Sequence, residues 1–565
     1  MKKHNELFTY EYLNDNLTPL KEYPNPQFIR DSYISLNGLW KYKITKDKNN
    51  LSDILDDILV PYPIESYNSK VQKRLQYNEY IIYKLEFKLK QDFIKYYTFL
   101  NFLGIDQKFE VILNGHYFNE TIPLLLPTKI DITNYIKEEN ELYIICKDEL
   151  DYTIPYGKQS KNPKSIFYTP FSGIYFPVYI ESVNKNYIQD FKIKTTLDTL
   201  YLDIKSNSDV FNIIITDHNN NHRYSSTHKN NNIEIKLPNP IPWSTDNPYL
   251  YNIEISTSDD KVTSYFGLKE FKIKNSKFYL NNNEIFLNGL LYQGYFPEGI
   301  ITPSSYETLE NDIKLIKELG FNTIRLHIKV ELPYFYYLCD KYGIIVFQDF
   351  VNNGKYSFIK QTLIPTIGFK NIKDINMNKN NYQRNNFLKA NDNLINYLYN
   401  HPSIIGYTIF NEGWGQFDSD NIYTYFKNKY PSIIFDATSG WFFQSKSDLN
   451  SEHLYFNNIN KLKKFNKTIF LSEFGALCYK LKDNCYSNKK VFAYKYFKSK
   501  NDLETKYIDL FENKIIPYKN KLNGIIYTQF NDIEEEDNGL VSYDRKVLKI
   551  NKEIIQNINN KLNNK

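Results

Sequence analysis

Cysteine is scarce: Cys146, Cys339, Cys478 and Cys485 are the only four in a chain of 565 residues. Their spacing fits neither a disulfide framework nor a metal-ligand set, so free thiols in a reducing compartment are expected. Long apolar runs are also missing. None reaches the roughly 18 residues that a membrane-spanning helix needs, so no membrane partner is expected. The opening MKKHNELFTYEYLNDNL has two lysines with no apolar segment behind them. It does not read as a secretory signal, which points to the cytoplasm. Glycine (20) and proline (22) are too few for a collagenous or low-complexity chain. Charge of one sign is not in excess either, since 70 − 65 leaves +5. The basic residues are scattered, so no nucleic-acid partner is expected.

Aromatic residues, by contrast, are abundant at 17%, with 51 Tyr and 39 Phe. Asn, Ile and Lys are plentiful too, and these residues share AT-rich codons, so base composition is one origin of the excess. Stacking platforms for sugars would use the same rings, and composition does not separate the two origins. Hydrophobic residues make up 42%, enough for several cores. At about 100–200 residues per domain, the length implies three or four domains, or two with one large.

Residues 30 to about 255 read as strands. YIIYKLEFKL (80–89), FEVILNG (109–115), ELYIICK (141–147), FKIKTTL (191–197) and FNIIITD (211–217) are separated by turn signals at 114–115, 172–173 and 219–221. The run is too long for one sandwich of about 100 residues. A boundary near 185 divides it into a larger and a smaller β domain. After about residue 275 the pattern changes. YETLENDIKLIKELG places Leu309, Ile313, Ile316 and Leu319 on one helical face and stops at Gly320. Strand–helix alternation then continues to the C-terminus with no GxGxxG, as in a (β/α)8 barrel. Strands are predicted near 285–293, 322–328, 344–350, 404–411, 432–436, 468–473 and 524–530, with an eighth near 449–455. Segment 351–384 is predicted to be a long loop over the barrel mouth.

In such a barrel the C-terminal strand ends converge on the active site. Those ends carry Arg325 and His327, Gln348 and Asp349, Asn411 and Glu412, Glu473, and Asn531 and Asp532. Glu412 and Glu473 lie 473 − 412 = 61 residues apart, at two different strand ends. Paired carboxylates about 5–5.5 Å apart carry out glycoside hydrolysis with retention. A glutamate at a strand end is more often a solvated carboxylate or a helix-cap neighbour, and the residues alone leave both readings open.

NHPSIIGYTIFNEGWG (400–415) closely resembles the acid/base segment of glycoside hydrolase family two, which includes β-galactosidases, β-glucuronidases and β-mannosidases. FLSEFGA (470–476) is similar to its nucleophile segment. FIRDSYISLNGLWKYKI (28–44), FLGIDQKFEVILNG (102–115) and SGIYFPVYIE (172–181) resemble its sugar-binding β domain. PWSTDNPYLYNIEI (242–255) and YFGLKEFKI (265–273) resemble its immunoglobulin-like domain. FYLNNNEIFLNGLLYQG (278–294) and NGLVSYDRKVLK (538–549) resemble its first barrel strand and closing segment. The resemblance covers almost the whole chain in the family's domain order. It implies a multidomain β plus α/β fold: an N-terminal jelly-roll β-sandwich (1–185), an immunoglobulin-like β-sandwich (186–275) and a C-terminal (β/α)8 TIM barrel (276–565).

The resemblance implies a retaining exo-β-glycosidase, most simply on a β-galactoside or related neutral glycoside, with carbohydrate as its partner. Glu412 would be the acid/base and Glu473 the nucleophile. Asn411 would bind the sugar 2-hydroxyl, Tyr455 would orient Glu473, and His453 would line the pocket. Arg325 would support the carboxylates from the barrel floor, and Trp414 and Trp441 are candidates for sugar stacking. No metal and no cofactor are expected, and assembly as a homo-oligomer is left open. The chain also departs from the family. His327 follows Arg325 by two residues instead of three, so Lys329 or Glu331 could replace it as a substrate ligand. YTQFND (527–532) stands where many members have a tryptophan-containing segment. No Asn-x-Lys pair of the kind that reads a uronic-acid carboxylate follows the nucleophile. A β-glucuronidase or β-mannosidase, or a carbohydrate-binding protein that has lost catalysis, are the alternative readings.

Overall fold

The computed structural model describes residues 7–12, 17–366, 369, 372–455, 467–487 and 495–563. The N-terminal β domain packs two sheets face to face. One orders its strands Tyr33–Ser35, Val178–Val183, Tyr97–Phe102, Thr128–Asp131. The other orders them Asp56–Val60, Gly38–Thr45, Tyr80–Lys88, Glu139–Lys147, Lys108–Leu113, His116–Tyr117. Trp40, Tyr83, Phe102, Val111, Ile144 and Ile180 fill the space between them. The next domain pairs a three-stranded sheet (Ile188–Thr195, Thr199–Ser206, Asn232–Lys236) with a four-stranded one (His222–His228, Phe211–Thr216, Tyr251–Ser256, Lys261–Phe266). Its strands obey the two-residue period of a sheet with one wet face. In Phe211–Thr216, Phe211, Ile213 and Ile215 are buried, while Asn212 and Ile214 are exposed.

The barrel follows. Its strands are β1 (Leu287–Tyr292), β2 (Thr323–Leu326), β3 (Ile345–Asp349), β4 (Ile404–Asn411), β5 (Ile434–Ser439), β6 (Leu449–Leu454), β7 (Thr468–Gly475) and β8 (Gly524–Thr528). They form one parallel eight-stranded sheet, hydrogen-bonded from β5 back through β4, β3, β2 and β1 to β8, β7 and β6. The seam between β5 and β6 closes through a parallel bridge, Gly440 to Glu452. A complete ladder is missing there, so the barrel is nearly closed.

The helices include α1 (Tyr306–Glu318), α2 (Pro333–Tyr342), α3 (Asn381–Leu398), α4 (Ser419–Lys429), α5 (Lys500–Asp509) and α6 (Lys552–Asn563). α1 begins at Ser305, whose hydroxyl accepts from Thr308 N, and buries Leu309, Ile313 and Ile316 as the periodicity predicts. Segment 351–384 differs from the expected loop. It contains a helical stretch over 359–366, and α3 starts at Asn381 within it.

Candidate active site

Two carboxylates meet at the C-terminal mouth of the barrel. Glu412 follows the last residue of β4, and Glu473 lies near the C-terminal end of β7. Glu412 has a φ of 51°, in the left-handed region that non-glycine residues seldom occupy. Three contacts fix it there. Its N–H donates to Ser439 O at 2.9 Å, Trp441 Nε1 donates to its carbonyl at 2.9 Å, and His453 Nδ1 lies 2.8 Å from its Oε1. The next residue must be glycine. Gly413 has a φ of 70°, and a Cβ there would lie 2.2 Å from the Phe442 ring. Such strain, held by surrounding contacts, is found where a side chain must be aimed.

Glu473 is held by two donors, Arg325 Nη1 at 3.1 Å from Oε1 and the Tyr455 hydroxyl on Oε2. Arg325 is fully buried on β2 and makes further bonds: Nε to Asp349 Oδ1 (2.9 Å), Nη2 to Asn411 Oδ1 (2.8 Å) and Nη1 to Ser472 O (3.1 Å). Burial alone would lower its proton affinity, but Asp349 and Glu473 more than compensate and raise it. Burial would likewise raise Asp349, yet Arg325 and His327 hold it below the ordinary carboxylate range. His327 Nδ1 lies 2.7 Å from Asp349 Oδ2. Burial, then the nearby Lys158 charge, push this imidazole down to about 3. It is therefore neutral and donates through Nδ1 to the carboxylate.

His453 links the two glutamates. Arg325 Nη1, which can only donate, faces its Nε2 at 3.4 Å, and Ser439 Oγ is 3.0 Å from the same atom. Nε2 is therefore an acceptor, and Nδ1 carries the proton given to Glu412. Beneath it, the hydroxyls of Ser439, Ser451 and Ser472 lie 2.6–3.0 Å apart. Donor atoms of Glu412, His453 and Glu473 all lie within 4.8 Å of one another. Among the described residues this is the one cluster of such groups close enough to hold a metal ion, although the sequence leads us to expect none.

Asn411, Glu412, Trp414, Tyr455, Glu473 and His327 line one pocket. Arg325, His453 and Trp441 are not among its lining residues. Arg325 and His453 touch the carboxylates directly. The Trp441 indole N–H donates to the Glu412 carbonyl, and its ring lies edge-on to His453 at 5.7 Å, so it braces the Glu412 backbone. Trp414 lines the pocket, boxed edge-on by Tyr156, Phe167 and Tyr356, with Nε1 on Gly354 O. Lys329 and Glu331 do not replace His327. They pair with each other, buried, and Lys329 also donates to the carbonyls of Gly294 and Ile301. Gln348 and Asp532 also turn away, toward Tyr336 and Lys549. Where a tryptophan was expected, Thr528 lines the pocket and Gln529 bonds Gln293 and Asn538.

Sequence reasoning missed Lys158, Ile166, Gln293, Glu536 and Asn538, which also line the pocket. Gln293 directly follows the apolar strand β1, a position that could have marked it; the other four lie outside the barrel strands, where no periodicity marks them. Lys158 and Ile166 come from loop 148–172 of the N-terminal domain, which docks on the barrel through Tyr156 N to Asn352 O (3.1 Å) and Tyr156 Oη to Gly354 O (2.9 Å).

Comparison with known proteins follows the same three-part division. Residues 34–198 match the family description "Glycosyl hydrolase 2 galactose-binding domain-like", 186–269 match "Glycosyl hydrolases family 2", and 271–546 match "Glycosyl hydrolases family 2, TIM barrel domain". The chain belongs to glycoside hydrolase family 2. Similar proteins include a β-galactosidase of Staphylococcus xylosus, 28% identical over 276 residues (47% of this chain, 27% of that one). A β-galactosidase of Clostridium acetobutylicum is 24% identical over 476 residues (76% and 51%). A putative β-glucuronidase of Formosa agariphila is 26% identical over 347 residues (57% and 38%). The family 2 chain spans about half or less of these relatives' length. Among solved structures, a β-D-glucuronidase from Dictyoglomus thermophilum superposes with a TM-score of 0.74 at 17% identity, covering 96% of this chain and 98% of that one. A β-galacturonidase from Eisenbergiella tayi does so at 0.70 and 17%, covering 95% and 98%. Both share the fold.

Proposed function

We propose that this family 2 protein is a retaining exo-β-glycosidase in which Glu412 is the general acid/base and Glu473 the nucleophile. One observation carries the reading: the two carboxylates share a pocket, with oxygens within 4.8 Å of each other, at the ends of two strands of one barrel. An inverting pair would stand about 6.5–9.5 Å apart to admit a water molecule between sugar and base. Glu473 attacks the anomeric carbon while Glu412 gives its proton to the departing glycosidic oxygen. The C–O bond to the leaving group breaks as the bond to Glu473 forms. Glu412, now a carboxylate, takes a proton from water, which attacks the same carbon and frees Glu473. Two inversions return the starting configuration.

The surrounding residues fit these steps. Arg325 and Tyr455 fix both oxygens of Glu473, so its carboxylate reacts from one orientation. Arg325 occupies Asn411 Oδ1, which leaves the Asn411 amide N–H groups to offer a sugar hydroxyl. His453 donates to Glu412 and stabilises the carboxylate that forms when the proton leaves. A pocket walled on one side by the N-terminal domain suits a terminal sugar. Relatives named β-galactosidase support a β-galactoside, as the sequence led us to expect, and those named β-glucuronidase and β-galacturonidase support a uronide. Cys146, Cys339 and Cys478 are buried free thiols, which is compatible with a reducing compartment. Proton NMR of the first sugar anomer released from a nitrophenyl β-glycoside tests the mechanism. The β-anomer is expected first, and first release of the α-anomer would overturn retention.

A further inference from the structure

Lys158 is a cation inside this pocket whose ammonium has no direct hydrogen-bond or ion-pair partner among the described residues. It is 9% exposed and lines the same wall space as Glu412 and Glu473. Among the described residues its ammonium makes no hydrogen bond and no ion pair, and the Tyr168 ring centroid lies 5.7 Å away. The other cation of the site, Arg325, is fully engaged by Asp349, Glu473, Asn411 and a main-chain carbonyl. Glu536, also in the lining, is bonded by the Tyr168 hydroxyl; the Lys158 charge partly offsets the rise that burial gives its carboxyl, but the two make no direct ion pair. The backbone that carries this side chain is anchored on both sides. Tyr156, two residues before, is tied to Asn352 and Gly354 of the barrel, and Tyr168 N donates to the Lys158 carbonyl at 2.9 Å.

Solvent can hydrate an ammonium in an open pocket. A sugar that fills the pocket expels that solvent, and a buried charge left without a partner is costly. A neutral hydroxyl offers it an ordinary acceptor. An anionic oxygen offers a charge-assisted bond about twice as strong.

We propose that Lys158 is the specificity-determining residue of this pocket, and that it selects a sugar carrying an anionic substituent. The proposal rests on the exo-glycosidase reading and names the substrate class of that same site. The shared chemistry is a negatively charged group on the sugar. It has two sources, the carboxylate of a hexuronoside or a phosphate or sulfate ester on a hexose.

The test is a panel of nitrophenyl β-galactoside, β-glucuronide, β-galacturonide, 6-phospho-β-galactoside and 6-sulfo-β-galactoside, with the full chain and with Lys158→Gln and Lys158→Arg. In the wild type, kcat/KM for one anionic class is expected to exceed that for the neutral galactoside. Lys158→Gln should lower the anionic-to-neutral ratio by roughly 10- to 150-fold, the range for a hydrogen bond to a charged group. Lys158→Arg should keep most of it. The anionic substrate that wins identifies the source. A wild type that prefers the neutral galactoside, or a Lys158→Gln variant that lowers both classes equally, overturns the proposal. If no glycoside is cleaved, the glycosidase reading fails, and direct binding of glucuronate, galacturonate and galactose decides the role of Lys158. Tighter uronate binding that Lys158→Gln abolishes supports it, and equal binding of acid and neutral sugar overturns it.

Discussion

Tyr455 and Ser172 are two hydroxyls with contrasting duties. Tyr455 donates to one oxygen of Glu473 while Arg325 holds the other. Tyr455→Phe removes one of two preorganised donors, so kcat on an activated aryl glycoside is expected to fall by roughly 10²-fold, as for loss of one donor at other charged reaction centres. A rate within threefold of wild type would show that Arg325 alone suffices. Ser172 lies in the N-terminal domain between two buried carboxyl groups, with Oγ 2.7 Å from Glu65 Oε1 and 2.8 Å from Asp148 Oδ2. A hydroxyl has one proton to give, so one of the two acids must hold a proton of its own. Burial raises Glu65 from 4.5 to about 8 and raises Asp148 as well. A carboxyl raised on folding contributes stability that is complete below its unfolded value and is lost as pH rises through its folded value. Thermal unfolding from pH 5 to 8.5 should therefore show a falling Tm that Glu65→Gln flattens, and parallel profiles would contradict the assignment. The proposed catalytic pair, Glu412 and Glu473, is legible in the sequence because each lies at or near the end of an apolar barrel strand. Lys158 is not, because its place in the pocket depends on how a loop of the N-terminal domain docks on the barrel, and Glu536 is not, because it lies on a loop beyond the last barrel strand.

Most barrel strands announce themselves as apolar runs, and β6 does not. LNSEHL buries Asn450, Ser451 and His453, and its inward side chains join the serine cluster and the glutamates. Polar residues at sheet-interior positions erase the hydrophobic signal while serving the site, so this strand was the hardest to place. Segment 351–384 hid a helical stretch for a related reason. Its Ile359 and Leu363 are exposed, so no apolar stripe forms. Helix ends were clearer. α2 stops at Gly343, with φ 70°, where a Cβ would lie 2.5 Å from the Thr245 carbonyl oxygen. Gly343→Ala is expected to destabilise the protein by about 1–3 kcal/mol through left-handed strain, with the close approach adding to it. Denaturant unfolding with an unchanged midpoint would show that the turn relaxes freely.

Polar groups are shared where the second sandwich meets the barrel. Asp340 on α2 accepts from Tyr265 Oη of the second sandwich (2.8 Å) and from Ser403 N (2.8 Å), and lies 2.6 Å from His401 Nδ1. Trp243 Nε1 donates to its carbonyl at 2.7 Å. Asp340→Ala would strand three buried donors and is expected to cost about 3 kcal/mol or more, seen as a lower Tm. An unchanged Tm would mean the sandwich docks through apolar contacts alone. Domain order was legible because short alternating strands give way to strand–helix alternation. The sugar was not, since the pocket draws on loops of both the first domain and the barrel. The account depends most on Glu473 as a nucleophile. Turnover of a nitrophenyl β-glycoside by Glu473→Gly, with and without sodium azide, tests this directly. The account predicts near-complete loss of turnover and partial recovery in azide, with a glycosyl azide of inverted configuration as product. Wild-type rates without azide would contradict it.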